Sequence, residues 1–102
     1  MRMMMKVSVP IEAANKAVQD GTMGKMLQAE LEKLRPEAVY FHAEDDVRTA
    51  LLFLDVKDAS DMPVIADPFF QQVSARIRFI PVMNVQDFQT GMAKLAQSAK
   101  TA

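Results

Sequence analysis

The chain has 102 residues, half of them apolar and a quarter charged, and a formal net charge of −1 at pH 7. Its 12 Lys and Arg nearly balance its 13 Asp and Glu, so no bulk field favours nucleic acid or anionic lipid. The absence of cysteine excludes disulfides, thiolate metal sites and a cysteine nucleophile. This composition and length predict one globular domain over residues 1–102.

The sequence predicts no membrane partner. Lys6 interrupts the apolar run at the start of the chain and Pro10 follows, so the run is too short for the core of a signal peptide. Elsewhere no stretch approaches the roughly 18 consecutive apolar residues of a membrane span. We therefore expect a cytoplasmic location, with which the lack of cysteine agrees.

The first predicted elements are a strand and two helices. The strand covers residues 3–9 and ends at Pro10, which cannot donate to a sheet ladder but suits the first turn of a helix. A helix follows over residues 11–19, and Gly21 ends it. A second helix over residues 22–34 carries methionine and leucine at helical spacing, which predicts core packing.

A β-hairpin is predicted next, with strands at residues 38–44 and 47–56. Two aspartates separate the strands and tolerate the left-handed backbone of a tight turn. A two-residue turn fixes the pairing of the strands. The expected cross-strand pairs are Glu44 with Val47, His42 with Thr49 and Tyr40 with Leu51.

The segment after the hairpin is predicted as two short helical pieces. The first begins at Ser60 or Asp61. The second begins at Pro68 with Asp67 as its N-cap, because proline is favoured at the first helical position and breaks a helix interior. The apolar residues they carry are Met62 and Ile65 in the first piece, and Phe69, Phe70 and Val73, facing the sheet, in the second.

The last predicted elements are a strand over residues 75–83 and a closing helix. Asn84 and Asp87, three residues apart, form a capping pair for this helix. Its apolar stripe consists of Val85, Phe88, Met92 and Leu95.

The predicted order is βαββαβ with an additional C-terminal helix. This order is typical of an α+β, ferredoxin-like fold, in which one antiparallel sheet carries its helices on a single face. The central strands would contain residues 3–9 and 49–56, and both segments place apolar side chains on two faces. Because the chain is too short to cover a sheet twice, we expect a homodimer in which a second subunit covers the open side.

Residues 35–58, 62–70 and 77–88 resemble the dimeric α/β-barrel superfamily of ferredoxin-like folds, and within it a group of small uncharacterised bacterial proteins. The resemblance spans almost the whole chain and rests on architecture rather than on a catalytic signature. It implies a dimeric α/β barrel with a pocket between sheet and helices. Because the superfamily includes isomerases, monooxygenases and ligand-sensing domains, it implies no single reaction.

His42 is the only histidine and the weak candidate for a catalytic residue, since histidine titrates near neutral pH. The hairpin register places it with Tyr40 and Phe53 on the face opposite the helices. Lys6 and Arg78 reach this face if their strands follow the same parity. One interpretation is a binding pocket in which His42 acts as general base and an arginine holds an anionic substrate. The alternative, which we favour, is a histidine and a tyrosine that hydrogen-bond at a subunit interface.

Other polar clusters predict no metal, cofactor or nucleic acid. A single histidine gives little support to haem or a histidine-rich metal site. The three carboxylates of residues 44–46 belong to a turn and lack the rest of a calcium loop. Residues 20–25 lack the spacing of a phosphate loop, and the aromatic pattern of RNA-binding sheets is absent.

Two functions remain open at this point. The first is a homodimer that binds a small carboxylated or aromatic organic molecule in a pocket between sheet and helices, with or without catalysis. The second is a non-catalytic stress-related or interaction protein whose open sheet face only dimerises. A cavity of roughly 300 Å³ or more that His42 reaches would favour the first. Neither a substrate nor a reaction class follows from the residues.

Overall fold

The computed structural model describes residues 1–101. Within this range the strands are β1 (Arg2–Val9), β2 (Ala38–Glu44), β3 (Val47–Asp55) and β4 (Arg76–Pro81), and the helices are α1 (Ile11–Gln19), α2 (Thr22–Leu34), α3 (Asp61–Val73) and α4 (Val85–Thr101). The strands form one antiparallel sheet in the order β2-β3-β1-β4. The α+β class and the order of elements are therefore confirmed. The strand order is consistent with a ferredoxin-like sheet, with β1 and β3 in the centre.

The hydrophobic core lies on one side of the sheet, beneath α1, α2 and α3. Burial alternates residue by residue along β1, as the two-residue period of a strand requires. Met5, Leu52 and Phe69 are completely buried. The buried residues of this core are Met3, Met5, Val7, Val9, Ala14, Ala17, Met26, Ala50, Leu52, Leu54, Val56, Phe69, Val73 and Ala75.

No helix of the same chain covers the other side of the sheet in the described residues, and we call this side the open face. Its residues are Arg2, Met4, Lys6 and Ser8 of β1, Ala38, Tyr40, His42 and Glu44 of β2, Val47, Thr49, Leu51, Phe53 and Asp55 of β3, and Arg76, Arg78 and Ile80 of β4. Leu51 and Phe53 make β3 apolar on both sides, whereas Met4 is the one large apolar residue that β1 contributes here. The two-sided apolar pattern is thus centred on β3.

The β2–β3 hairpin has the predicted register. Tyr40 pairs with Leu51, and His42 pairs with Thr49. Asp45 and Asp46, with φ of 51° and 64°, both adopt the left-handed conformation that a two-residue hairpin turn requires.

The prediction of two short helices in α3 is wrong, because α3 is one continuous helix with Pro68 in its interior. Asp67 is therefore a helical residue rather than an N-cap. Pro68 removes one backbone hydrogen bond, but burial of the neighbouring Phe69 against the sheet stabilises the helix across the break. Phe70 is 45% exposed, so it does not face the sheet as predicted.

α4 projects from the rest of the molecule. Its side chains are exposed from Val85 to Lys100, and the principal extents of the molecule are 60 × 27 × 19 Å. The predicted capping pair is confirmed. The amide of Asn84 donates to Asp87 Oδ2 at 3.1 Å, and the amide of Asp87 donates to Asn84 Oδ1 at 2.7 Å. The start of α4 is thus well fixed, while its apolar stripe contacts little of the chain.

Candidate functional site

Five residues predicted for a site fall on the open face: Lys6, Tyr40, His42, Phe53 and Arg78. Pairing across the sheet aligns Arg78, Lys6, Leu51 and Tyr40 in one row. Arg78 and Tyr40 occupy the two edge strands, so about 14 Å of sheet separates their backbones. All five residues lie on the face that strand parity predicts, but Arg78 and Tyr40 are far apart because they lie on opposite edges of the sheet.

Two contacts join members of this set. The rings of Tyr40 and Phe53 meet edge to face, with centroids 6.3 Å apart and an interplanar angle of 81°. Glu44 bridges Lys6 and His42, because its carboxylate accepts a hydrogen bond from Lys6 Nζ and lies 3.3 Å from Nε2 of His42.

The five residues border three different hollows rather than one cavity. Tyr40 and Phe53 border a hollow of about 400 Å³ at one end of the open face. Lys6 and Arg78 border another of about 720 Å³. His42 borders a cavity of about 320 Å³ that opens between the sheet and the helices. The single chain therefore does not bring Tyr40, His42 and Arg78 to one binding site.

The hydrogen bond from Lys6, followed by the one with His42, holds the pKa of Glu44 below its ordinary value of 4.5. A carboxyl group whose pKa is lower in the folded than in the unfolded chain stabilises the folded state at pH values above its unfolded-state pKa. That contribution is lost as the pH falls through the folded-state pKa. Glu44 therefore remains a carboxylate at neutral pH and orients the two basic groups beside it.

Lys6→Met is expected to raise the pKa of Glu44 toward 4.5, because it removes the largest cause of the shift. Carboxyl ¹³C chemical shifts followed against pH measure this directly. Hydrogen bonds from Lys57 and then from the N-terminal ammonium lower the pKa of Asp55 to about 2, so Lys57→Met is the matched control: it should raise the pKa of Asp55 and leave that of Glu44 unchanged. An unchanged Glu44 titration in Lys6→Met would show that the ion pair does not form in solution.

The cavity that His42 borders lies on the helix side of the sheet, and we call it the helix-side cavity. Its apolar lining consists of Val7, Val9, Met23, Met26, Leu27, Phe41, Ala43, Ala50 and Phe69. The other bordering residues are Arg48, and His42 and Thr49, whose side chains point to the open face. Phe41 points to the helix side of β2, yet it is 59% exposed. Its cross-strand partner Ala50 and its neighbour Ala43 are small, so they leave the space beneath α2 unfilled.

Arg48 is the charged residue of the helix-side cavity and was missing from the predicted site. Its Nη1 donates to Asn15 Oδ1 at 2.7 Å. It forms no ion pair within residues 1–101, so guanidinium donors remain for a bound carboxylate. One sequence signal pointed to it. Arg48 breaks the apolar series that Ala50, Leu52 and Leu54 continue on the same side of β3.

Within the part of the chain that the structure describes, no group of three or more metal-ligating side chains is placed to hold an ion. The same residues include no helix that is both long enough and apolar enough to cross a bilayer. The acidic residues 44–46 lie along the hairpin turn, where Glu44 is already paired with Lys6.

Comparison with known proteins identifies no relative. No protein-family model, no curated protein and no solved structure matches the chain. Any functional argument therefore rests on the geometry and chemistry of the two sides of the sheet.

Proposed function

We propose that the protein is a homodimer that binds a small aromatic carboxylic acid in the helix-side cavity. The observation that carries this proposal is an apolar cavity of about 320 Å³ with an arginine, Arg48, on its border. Such a volume is at the lower end of the range for small-molecule pockets. It suits an acid with a single ring.

The lining supports one orientation of such a ligand. Phe69 is completely buried and Phe41 is largely exposed, so the ring enters past Phe41 and rests toward Phe69. Aromatic side chains favour offset or edge-to-face contacts with a bound ring. Arg48, which is exposed, binds the carboxylate from the solvent side through paired N–H donors.

The side chain of His42 points to the open face, so it is not placed to exchange a proton with a ligand in the helix-side cavity. Its Nε2 lies 3.3 Å from the Glu44 carboxylate on that face. The helix-side cavity therefore supports ligand binding through Arg48 and the apolar lining rather than proton transfer by His42.

The homodimer is supported by the open face. Leu51 and Phe53 are only partly buried there, and Tyr40 beside them is 62% exposed. An uncovered apolar area in the middle of a sheet is a typical subunit interface. A second copy is the partner always present at the same concentration as the chain.

Arg48→Met is expected to weaken binding of an aromatic acid roughly 10- to 100-fold, because a charge-assisted hydrogen bond contributes about 1.5–3 kcal/mol. Benzoate, phenylacetate and 3-phenylpropanoate are suitable probes, with affinity measured by titration calorimetry and by the shift of the melting temperature. At least one of the three should bind the wild-type chain.

Arg78→Met is the matched control, because Arg78 lies on the open face and does not line the helix-side cavity. It should leave binding unchanged. Loss of binding in Arg78→Met but not in Arg48→Met would move the ligand to the open face. Absence of binding by all three acids would reject the proposal.

The second function, a non-catalytic interaction protein, is favoured by a different observation. α4 exposes an apolar stripe that no part of the described chain covers, as a protein-binding element would. A dimer that binds none of the aromatic acids would support this function.

A further inference from the structure

α4 is an amphipathic helix whose apolar side faces solvent. Val85, Phe88, Met92 and Leu95 recur at spacings of three, four and three residues, and they are 72%, 54%, 48% and 61% exposed. A stripe of this kind is ordinarily buried, and isolated helices of this length are marginally stable in water. The stripe therefore needs a covering surface.

The structure fixes where α4 leaves the sheet. Arg2 belongs to the open face, its carbonyl accepts from the amide of Val82 at 3.2 Å, and its Nη1 lies 3.5 Å from Asp87 Oδ2. Met83 and Asn84 border the same hollow as Tyr40 and Phe53. α4 thus begins beside the apolar part of the open face and runs away from it.

This geometry separates the stripe from the open face of its own chain. The three residues 82–84 join β4 to α4, and the capping pair and the Arg2–Asp87 ion pair fix the direction of the first turn. To fold back over its own sheet, α4 would have to reverse direction and break these contacts. The stripe of α4 and the apolar part of the open face can therefore contact each other only when they belong to two different chains.

We infer that α4 is an exchanged arm whose stripe packs on the open face of a second copy, over the Tyr40–Phe53 pair, while the arm of that copy packs in return. The inference rests on the proposed homodimer and names the element that covers its open face. Reciprocal exchange forms a closed two-fold dimer in which both apolar surfaces are buried.

The expected area agrees with a stable dimer. A helix of 17 residues is about 25 Å long and about 10 Å wide, so its footprint is about 250 Å². Each arm buries this area on itself and an equal area on the sheet that it covers. Two arms therefore bury about 1,000 Å² in total, which is the lower limit for a specific interface. Contacts at the ends of the two sheets add to this area.

Cross-linking between two single-cysteine variants tests the arm, because the chain contains no cysteine of its own. Met92→Cys places a thiol on the stripe, and Tyr40→Cys places one on the open face. The two variants, one carrying a mass tag, are mixed and treated with a short bismaleimide. The expected result is a mixed dimer that joins the stripe of one chain to the sheet of the other.

Thr90→Cys is the matched control, because position 90 lies on the polar side of the same helix. Mixed with Tyr40→Cys, it should lose the mixed product. Two results would contradict the exchange of α4. One is a product that joins only two Met92→Cys chains, which indicates that two α4 helices pair with each other. The other is cross-linking that occurs only within a single chain carrying both cysteines.

Sedimentation of the untreated protein separates failure of the arm from failure of the homodimer. A dimer that gives no mixed product contradicts the arm alone. A monomer at about 10 µM, within the ordinary affinity range of such interfaces, contradicts the homodimer and the arm together.

Discussion

Phe53→Asp is expected to convert the homodimer into a folded monomer. Phe53 lies on the central strand β3 of the open face and contacts Tyr40, so each subunit contributes one such ring to the proposed interface. Loss of a buried phenylalanine removes about 1.5–3 kcal/mol, and a two-fold interface contains the position twice. The dissociation constant should therefore rise about 10²- to 10⁴-fold.

Sedimentation velocity over a dilution series measures this change, and circular dichroism verifies that the variant remains folded. Gln28→Asp is the control, since it adds the same charge at an exposed position of α2, away from the open face. It should sediment as the wild type does. An unchanged dimer in Phe53→Asp would place the interface elsewhere.

Dimerisation and ligand binding should respond to different substitutions. The open face and the helix-side cavity lie on opposite sides of β3, where Phe53 and Ala50 point in opposite directions. Phe53→Asp should therefore leave aromatic acid binding nearly intact, and Arg48→Met should leave the dimer intact. His42 lies on the open face and also borders the helix-side cavity, so a substitution at this position would affect both dimerisation and ligand binding.

The hairpin was predictable because its register depends on local chemistry. Two adjacent aspartates tolerate positive φ, and a two-residue turn leaves one pairing that keeps Leu52 and Leu54 in the core. The same parity assigned Tyr40 and His42 to the open face. The faces of these residues can be predicted from the sequence, because the turn sets the register and side chains then alternate between the two faces along the whole strand.

α3 shows where local rules fail. A proline in a helix interior costs about 3 kcal/mol, which favours a break at Pro68. Complete burial of Phe69 one residue later contributes energy of the same order, so tertiary packing keeps the helix continuous. Whether the helix continues through Pro68 depends on how deeply Phe69 is buried in the core, and the local sequence pattern does not specify that burial.

The helix-side cavity was not predictable for a related reason. It exists because α2 leaves Phe41 uncovered and because Ala43 and Ala50 do not fill the space beside it. Empty space depends on how closely a helix approaches the sheet, which no spacing of residues specifies. Arg48 was the one visible sign, as a charge in an otherwise apolar series.

Phe69→Ala is expected to cause the largest loss of stability of any single truncation discussed for this chain, about 3–5 kcal/mol. Phe69 is completely buried and lines the helix-side cavity, so its removal loses core packing and enlarges an existing void. Domains of this size have a free energy of unfolding of about 5–15 kcal/mol, so the variant should fold with little margin.

Urea unfolding measures this loss, and Phe70→Ala is the control in the same helix, because Phe70 is 45% exposed and should lose far less. The enlarged cavity also gives a functional readout. A bulkier aromatic acid, such as 2-naphthoate, should stabilise Phe69→Ala more than it stabilises the wild type, because the added ring occupies the void that Phe69 leaves. Equal losses in the two phenylalanine variants would contradict the assignment of Phe69 to the core, and equal stabilisation by 2-naphthoate would contradict the assignment of the ligand to this cavity.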